Sequence, residues 1–121
     1  MVQVEVEKSK RLLKVSWSQH VSTDEAKNAL EKLPPLLPEF SGGFRLLADL
    51  TSLDTLDLGC VSHLRKMMDI LNKAGVELIV RVIPDPHKDI GLNIMSLFHY
   101  RRGLPIVTFE SLPEALKILS E

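Results

Sequence analysis

Residues 48–64, ADLTSLDTLDLGCVSHL, join two apolar patterns of different period, and the change of period between them decides the fold. Just before it, Leu46, Leu47 and Ala48 form a short apolar run between Phe44 and Leu50, of the length and character that suit a buried central strand. After it, Val61, Leu64, Met68 and Leu71 recur every three or four residues and share one face of a long helix. Arg65, Lys66, Asp69 and Lys73 lie largely off that face. Gly75 is placed to cap the helix, and the β-branched run Val76 to Ile83 that follows reads as the next strand, ending at Pro84 and Pro86. Strand, helix and strand in this order make one unit of a parallel sheet, with a right-handed crossover.

The same reading extends outward in both directions. Val2, Val4 and Val6 alternate with polar residues, and after a polar turn at residues 8–10 the alternation resumes at Leu13, Val15 and Trp17, which predicts an antiparallel hairpin. Ser22 and Glu25 have capping-box spacing, and Ala26, Ala29, Leu30 and Leu33 follow at helical spacing, so a helix starts near Thr23. Pro34 and Pro35 are expected to stop it soon after Leu33. The leucines among these prolines should pack down on the domain, and Gly42 and Gly43 punctuate the chain before the central strand. Towards the C-terminus a helix fits residues 88 to about 100, with Ile90, Ile94, Leu97 and Phe98 on one face. A short strand fits residues 104–109, and a second capping box, Ser111 with Glu114, opens a last helix whose buried face should include Leu112, Ala115 and Ile118. The predicted order is β-β-α-β-α-β-α-β-α: an α/β fold with a largely parallel sheet and one antiparallel edge, forming a single domain over residues 1–121.

Composition limits the classes of function. A chain of 121 residues, 45% apolar and 26% charged, can bury a core without disulfide or metal support. Its formal charge of -1 gives no overall bias towards nucleic acid. Cys60, the only cysteine, excludes an internal disulfide framework and a cysteine-rich zinc site and fits a reducing compartment. The N-terminus lacks a signal-peptide pattern, and no stretch reaches the roughly 20 apolar residues of a membrane span. The expected location is the cytoplasm.

The 48–64 segment resembles the signature of the STAS family, the sulphate-transporter and anti-sigma-factor-antagonist domain. In that family a strand ending in Asp-Leu leads through a loop and an Asp-Ser-Ser-Gly type segment into a long helix. Without gaps, Asp49 and Leu50 fall on the strand-end pair and Asp57 on the aspartate of the later segment. Residues 74–78, AGVEL, and residues 108–116, TFESLPEAL, are similar to the family's turn into the next strand and to its closing strand and helix. The resemblance covers about the C-terminal two thirds of the chain. It implies a mixed-sheet domain whose functional surface lies around Asp57 and which binds a regulatory protein partner, of the kinase or anti-sigma type. Some members bind nucleotides or other small ligands.

One departure from the family pattern bears on mechanism. The bacterial antagonists commonly carry, directly after that aspartate, a serine that a partner kinase phosphorylates. Here the residue is Leu58, followed by Gly59 and Cys60. Leucine has no oxygen to phosphorylate, so a phosphoserine switch at this position is not expected. Thr51, Ser52, Thr55 and Ser62 read as turn or capping residues rather than as replacements. Leu58 itself has two readings, an exposed apolar contact or a core residue.

No other chemistry is well supported. The four histidines are dispersed, and Asp85, His87 and Asp89 read as a solvated turn, so no metal is expected. Asp49, Asp54 and Asp57 could hold a cation or a water, but aspartates between a strand and a helix more often cap and shape the turn. Gly42 and Gly43 lack the Lys-Ser/Thr ending of a phosphate loop. Cys60 has a low-pKa reading at a helix start and a more ordinary one as a small core residue. His99, Tyr100, Arg101 and Arg102 form too small a cluster for nucleic acid. The expectation is therefore a non-enzymatic signalling module with no catalytic residues and no cofactor. Its partner surface comprises Asp54, Thr55, Asp57, Leu58, Gly59, Ser62, His63 and Lys66. The alternative is a carrier or sensor that takes a lipid-like or nucleotide ligand between sheet and helices.

Overall fold

A computed structural model describes residues 1–40, 42–84 and 103–120. Five strands form one sheet in the order β1-β2-β3-β4-β5, which is also their order in the chain. β1 (Val2–Glu7) and β2 (Leu12–Val21) make the predicted antiparallel hairpin, with Val4 opposite Val15 and Val2 opposite Trp17. β3 (Phe44–Leu56), β4 (Val76–Val82) and β5 (Ile106–Phe109) are all parallel to β2, so the antiparallel pairing is confined to one edge. The expected helix over residues 88–100 lies outside the described residues, as do Asp85, His87, Asp89 and the basic cluster at 99–102.

Alternation along the strands divides the core between the two faces of the sheet. Leu13, Val15, Trp17, Leu46 and Ile79 pack on one face against α1 (Thr23–Leu36) and α2 (Cys60–Ala74). Leu12, Leu47, Val80 and Val82 pack on the other, against Ala115 and Leu119 of the C-terminal helix (Leu112–Leu119). Strands apolar on both faces belong in the middle of a covered sheet, and β3 and β4 occupy that position.

The first capping box forms in full, and at the second the Ser111 hydroxyl caps the helix. The Ser22 hydroxyl accepts from the Glu25 backbone N–H at 3.2 Å and the Glu25 carboxylate accepts in return from the Ser22 N–H, while the Ser111 hydroxyl accepts from the Glu114 N–H. Gly75 ends α2 at φ 97°, in the left-handed region.

Two expectations need correction. α1 does not stop near Leu33: it continues through Pro34 and Pro35 to Leu36, and a 3-10 turn, Leu37–Glu39, follows. The prolines fall in the last turn, where their fixed φ is already helical, and the Leu37 N–H still reaches the Leu33 carbonyl. In the C-terminal helix Leu119, not Ile118, is buried beside Ala115, and Ile118 is 38% exposed. Six residues turn a helix by about 600°, which leaves Ile118 well round from Leu112, whereas seven bring Leu119 back to within about 20°.

Candidate functional site

β3 is longer than its apolar run, and its polar extension builds the site. Beyond Leu50 it continues through Thr51, Ser52, Leu53, Asp54 and Thr55 to Leu56, still paired with the end of β2. The register slips twice. Ser16 lies opposite Asp49 but Ser18 opposite Ser52, and Gln19 lies opposite Leu53 but His20 opposite Thr55. Each slip inserts one residue into β3, and Asp54 is the extra residue of the second bulge. Gln19, at φ 59°, is in the left-handed region that a non-glycine residue adopts only when its surroundings enforce it. Together these irregularities aim His20 across the sheet end.

The result is an array that sequence reading did not anticipate. Nε2 of His20 lies 3.1 Å from Oδ1 of Asp57, and Nδ1 lies 2.6 Å from the Thr55 hydroxyl. A carboxylate only accepts, so it is a protonated Nε2 that faces Asp57. The second carboxylate oxygen of Asp57 accepts from the Thr23 N–H at 3.3 Å, at the start of α1. Asp57 thus ties the ends of β2 and β3 to the first turn of α1, where a negative charge also suits the helix dipole. Its own N–H donates to the Val21 carbonyl and its carbonyl accepts from the Cys60 N–H.

Asp57 therefore fixes the corner at which the chain turns from β3 into α2, and Leu58 stands on that corner. It is 90% exposed, far more than any other large apolar side chain among the described residues. Leu58 is therefore not a core residue. Its carbonyl accepts from the Val61 N–H, so the turn beneath it is hydrogen-bonded. Gly59 follows against α1, where an added Cβ would sit 2.4 Å from the Thr23 hydroxyl oxygen. Close approach, rather than an unusual φ, is what requires glycine there, since its φ is -62°.

The remaining expected residues are distributed as follows. Ser62 and Lys66 are exposed on α2, Ser62 donating to the Gly59 carbonyl. His63 is half-buried, with its Nδ1 enclosed and without a partner among the described residues, so it is less open than the expected surface requires. The three aspartates do not gather: Asp49 accepts from the backbone and side chain of Thr51, Asp54 is exposed on its bulge, and Asp57 is engaged as above. No group of acidic, histidine or cysteine side chains among the described residues could hold a metal. Cys60 is buried with its thiol against the Val21 and Ser22 carbonyls, and burial pushes its pKa up, opposite to an activated thiolate.

Between the sheet and the two helices lies a small cavity lined by Val15, Trp17, Leu33, Leu46, Leu64 and Met68 among others. Its volume is about 20 Å³ and its surface is wholly apolar, enough for roughly one water and offering nothing to a phosphate or a base. The Trp17 indole N–H is enclosed nearby without a partner among the described residues.

Comparison with known proteins agrees with this architecture. No family model and no curated protein sequence matches the chain. Solved structures do. A DUF3478-family protein from Shewanella loihica with a SpoIIAA-like fold superposes with a TM-score of 0.69 at 16% identity, over 98% of this chain and 92% of that one. The anti-sigma factor antagonist SpoIIAA in its unphosphorylated form gives 0.68 at 13% identity, over 99% and 98% of the two chains. An anti-sigma factor antagonist from Mycobacterium paratuberculosis gives 0.58 at 17% identity, over 100% and 94%. The chain has a SpoIIAA-like fold, as the STAS resemblance implied. At these identities the likeness concerns the fold alone.

Proposed function

We propose that this chain is a regulatory protein-binding module that engages its partner through the corner between β3 and α2, with Leu58 as the anchor. One observation carries the reading: a leucine 90% exposed on a hydrogen-bonded corner, at the position where the resembling antagonists commonly carry a phosphorylatable serine. An apolar side chain held out on a rigid backbone loses little conformational freedom on docking, and such a residue can dominate the energy of an interface. A kinase or an anti-sigma-like protein is the class of partner that the antagonist fold suggests.

Contact through Leu58 is constitutive, since no phosphate can form there to expel the partner. The module acts by binding and not by catalysis. The hydrogen-bonded His20, Asp57 and Thr55 array shapes the corner, and all three side chains are open to water, where a general base gains little. A cytoplasmic setting fits a lone cysteine kept as a thiol. Among the described residues no helix is long and apolar enough to cross a membrane.

Native mass spectrometry of the protein purified gently from its own source tests the reading. The expected result is a bound protein that is lost from the Leu58→Asp variant. A stoichiometric small ligand with no protein partner would overturn it.

A further inference from the structure

The outward face of α2 follows directly on the corner that carries Leu58 and has a charge pattern unlike that of the chain as a whole. Ser62, Lys66, Asp69 and Lys73 follow one another at spacings of four or three, so they form a single stripe leading away from the Leu58 corner, with Arg65 beside Ser62 and Asp69. All six are exposed. The stripe has three cations and one carboxylate, on a chain whose formal charge is -1. The ion pairs formed among the described residues leave these three cations out. The neighbouring outer face of α1 is balanced, with Asp24 and Glu31 against Lys27 and Lys32.

We infer that the partner surface is acidic: an apolar pocket that takes Leu58, continued by carboxylates that face Arg65, Lys66 and Lys73. The inference rests on the protein-binding reading above and adds the chemistry of the partner. Complementary charge would speed encounter and fix the direction in which α2 lies on the partner, while the buried leucine holds the complex together. A polyanionic nucleic acid would want a wider basic surface than three side chains interrupted by Asp69. A membrane surface would want several apolar anchors beside the cations, and this stripe has one beside it.

The test places a photo-crosslinking amino acid at Ser62 and exposes the protein to extract of its own source, beside Leu58→Asp and Arg65→Glu/Lys66→Glu forms carrying the same crosslinker. Unchanged melting temperatures check that the variants fold. The expected result is a captured protein whose crosslinked peptide is rich in Asp and Glu. Capture should fall at least about tenfold in the charge-reversed form and decline steeply as salt is raised. A partner that depends on Leu58 but tolerates charge reversal would overturn the acidic-surface inference and leave the protein-binding reading standing. No protein captured in a Leu58-dependent way would defeat both. Pelleting of the wild type with phosphatidylglycerol vesicles, lost on charge reversal and with no protein captured, would assign the stripe to a membrane instead.

Discussion

The carboxylate of Asp57 is shared between the imidazole of His20, 3.1 Å from one oxygen, and the backbone N–H of Thr23, 3.3 Å from the other. One side chain thereby joins the end of β2 to the start of α1 and holds the corner that displays Leu58. The two contacts are not equivalent. The His20 contact is about half exposed and is worth little in water, whereas the Thr23 N–H is a free donor at a helix start.

Asp57→Ala should therefore destabilise more than His20→Ala: by about 1–2 kcal/mol, as for the loss of a cap, against less than about 1 kcal/mol. Asp57→Asn, which keeps an oxygen for Thr23, should fall between them. Urea denaturation of the three variants measures the order. Equal costs for Asp57→Ala and His20→Ala would mean that the helix contact contributes nothing.

Gly59 is a packing requirement. Gly59→Ala places a methyl 2.4 Å from the Thr23 hydroxyl oxygen and should cost roughly 1–3 kcal/mol through overpacking. Combining it with Thr23→Ala removes the two nearest atoms it meets, so the double variant should be more stable than the two single costs predict. A double-mutant cycle measures this coupling, and strict additivity would show that the approach of α1 to the corner is not the constraint.

Cys60 should resist thiol reagents in the folded protein at pH 8 and react once denaturant opens the core, because burial holds it as the neutral thiol. The linked effect on stability has a definite sign. The folded thiol has a pKa above the ordinary 9.0, so the unfolded chain loses its proton first as pH rises. Stability should therefore decline above about pH 9, and this part of the decline should vanish in Cys60→Ala.

How far the sequence showed this arrangement depended on whether a feature is local. The capping box at Ser22, the N-cap at Ser111, the Gly75 cap and the valine alternation of β1 are written in adjacent residues and could be read directly. The SpoIIAA-like fold was legible through the 48–64 segment for the same reason. The bulges of β3 could not be read there, because a bulge exists only relative to the partner strand, and Asp54 and Thr55 accordingly looked like loop residues rather than strand. His20 was missed because the left-handed turn at Gln19, which redirects it onto Thr55 and Asp57, has no glycine to mark it. A sequence clue did exist, since two polar residues, Gln19 and His20, end the alternation of β2. The exposure of Leu58 was open from sequence, as the same leucine fits a core or a contact, and the hydrogen-bonded corner supplied the answer.

The affinity of the native partner for wild-type and Leu58→Asp protein, measured side by side with their thermal unfolding, tests the central claim most directly. Because Leu58 touches water and not the core, the variant should keep its melting temperature to within a few degrees. Its affinity should fall at least about thirtyfold, the effect of losing an anchor worth about 2 kcal/mol. A folded Leu58→Asp protein that binds its partner as tightly as wild type would contradict the account.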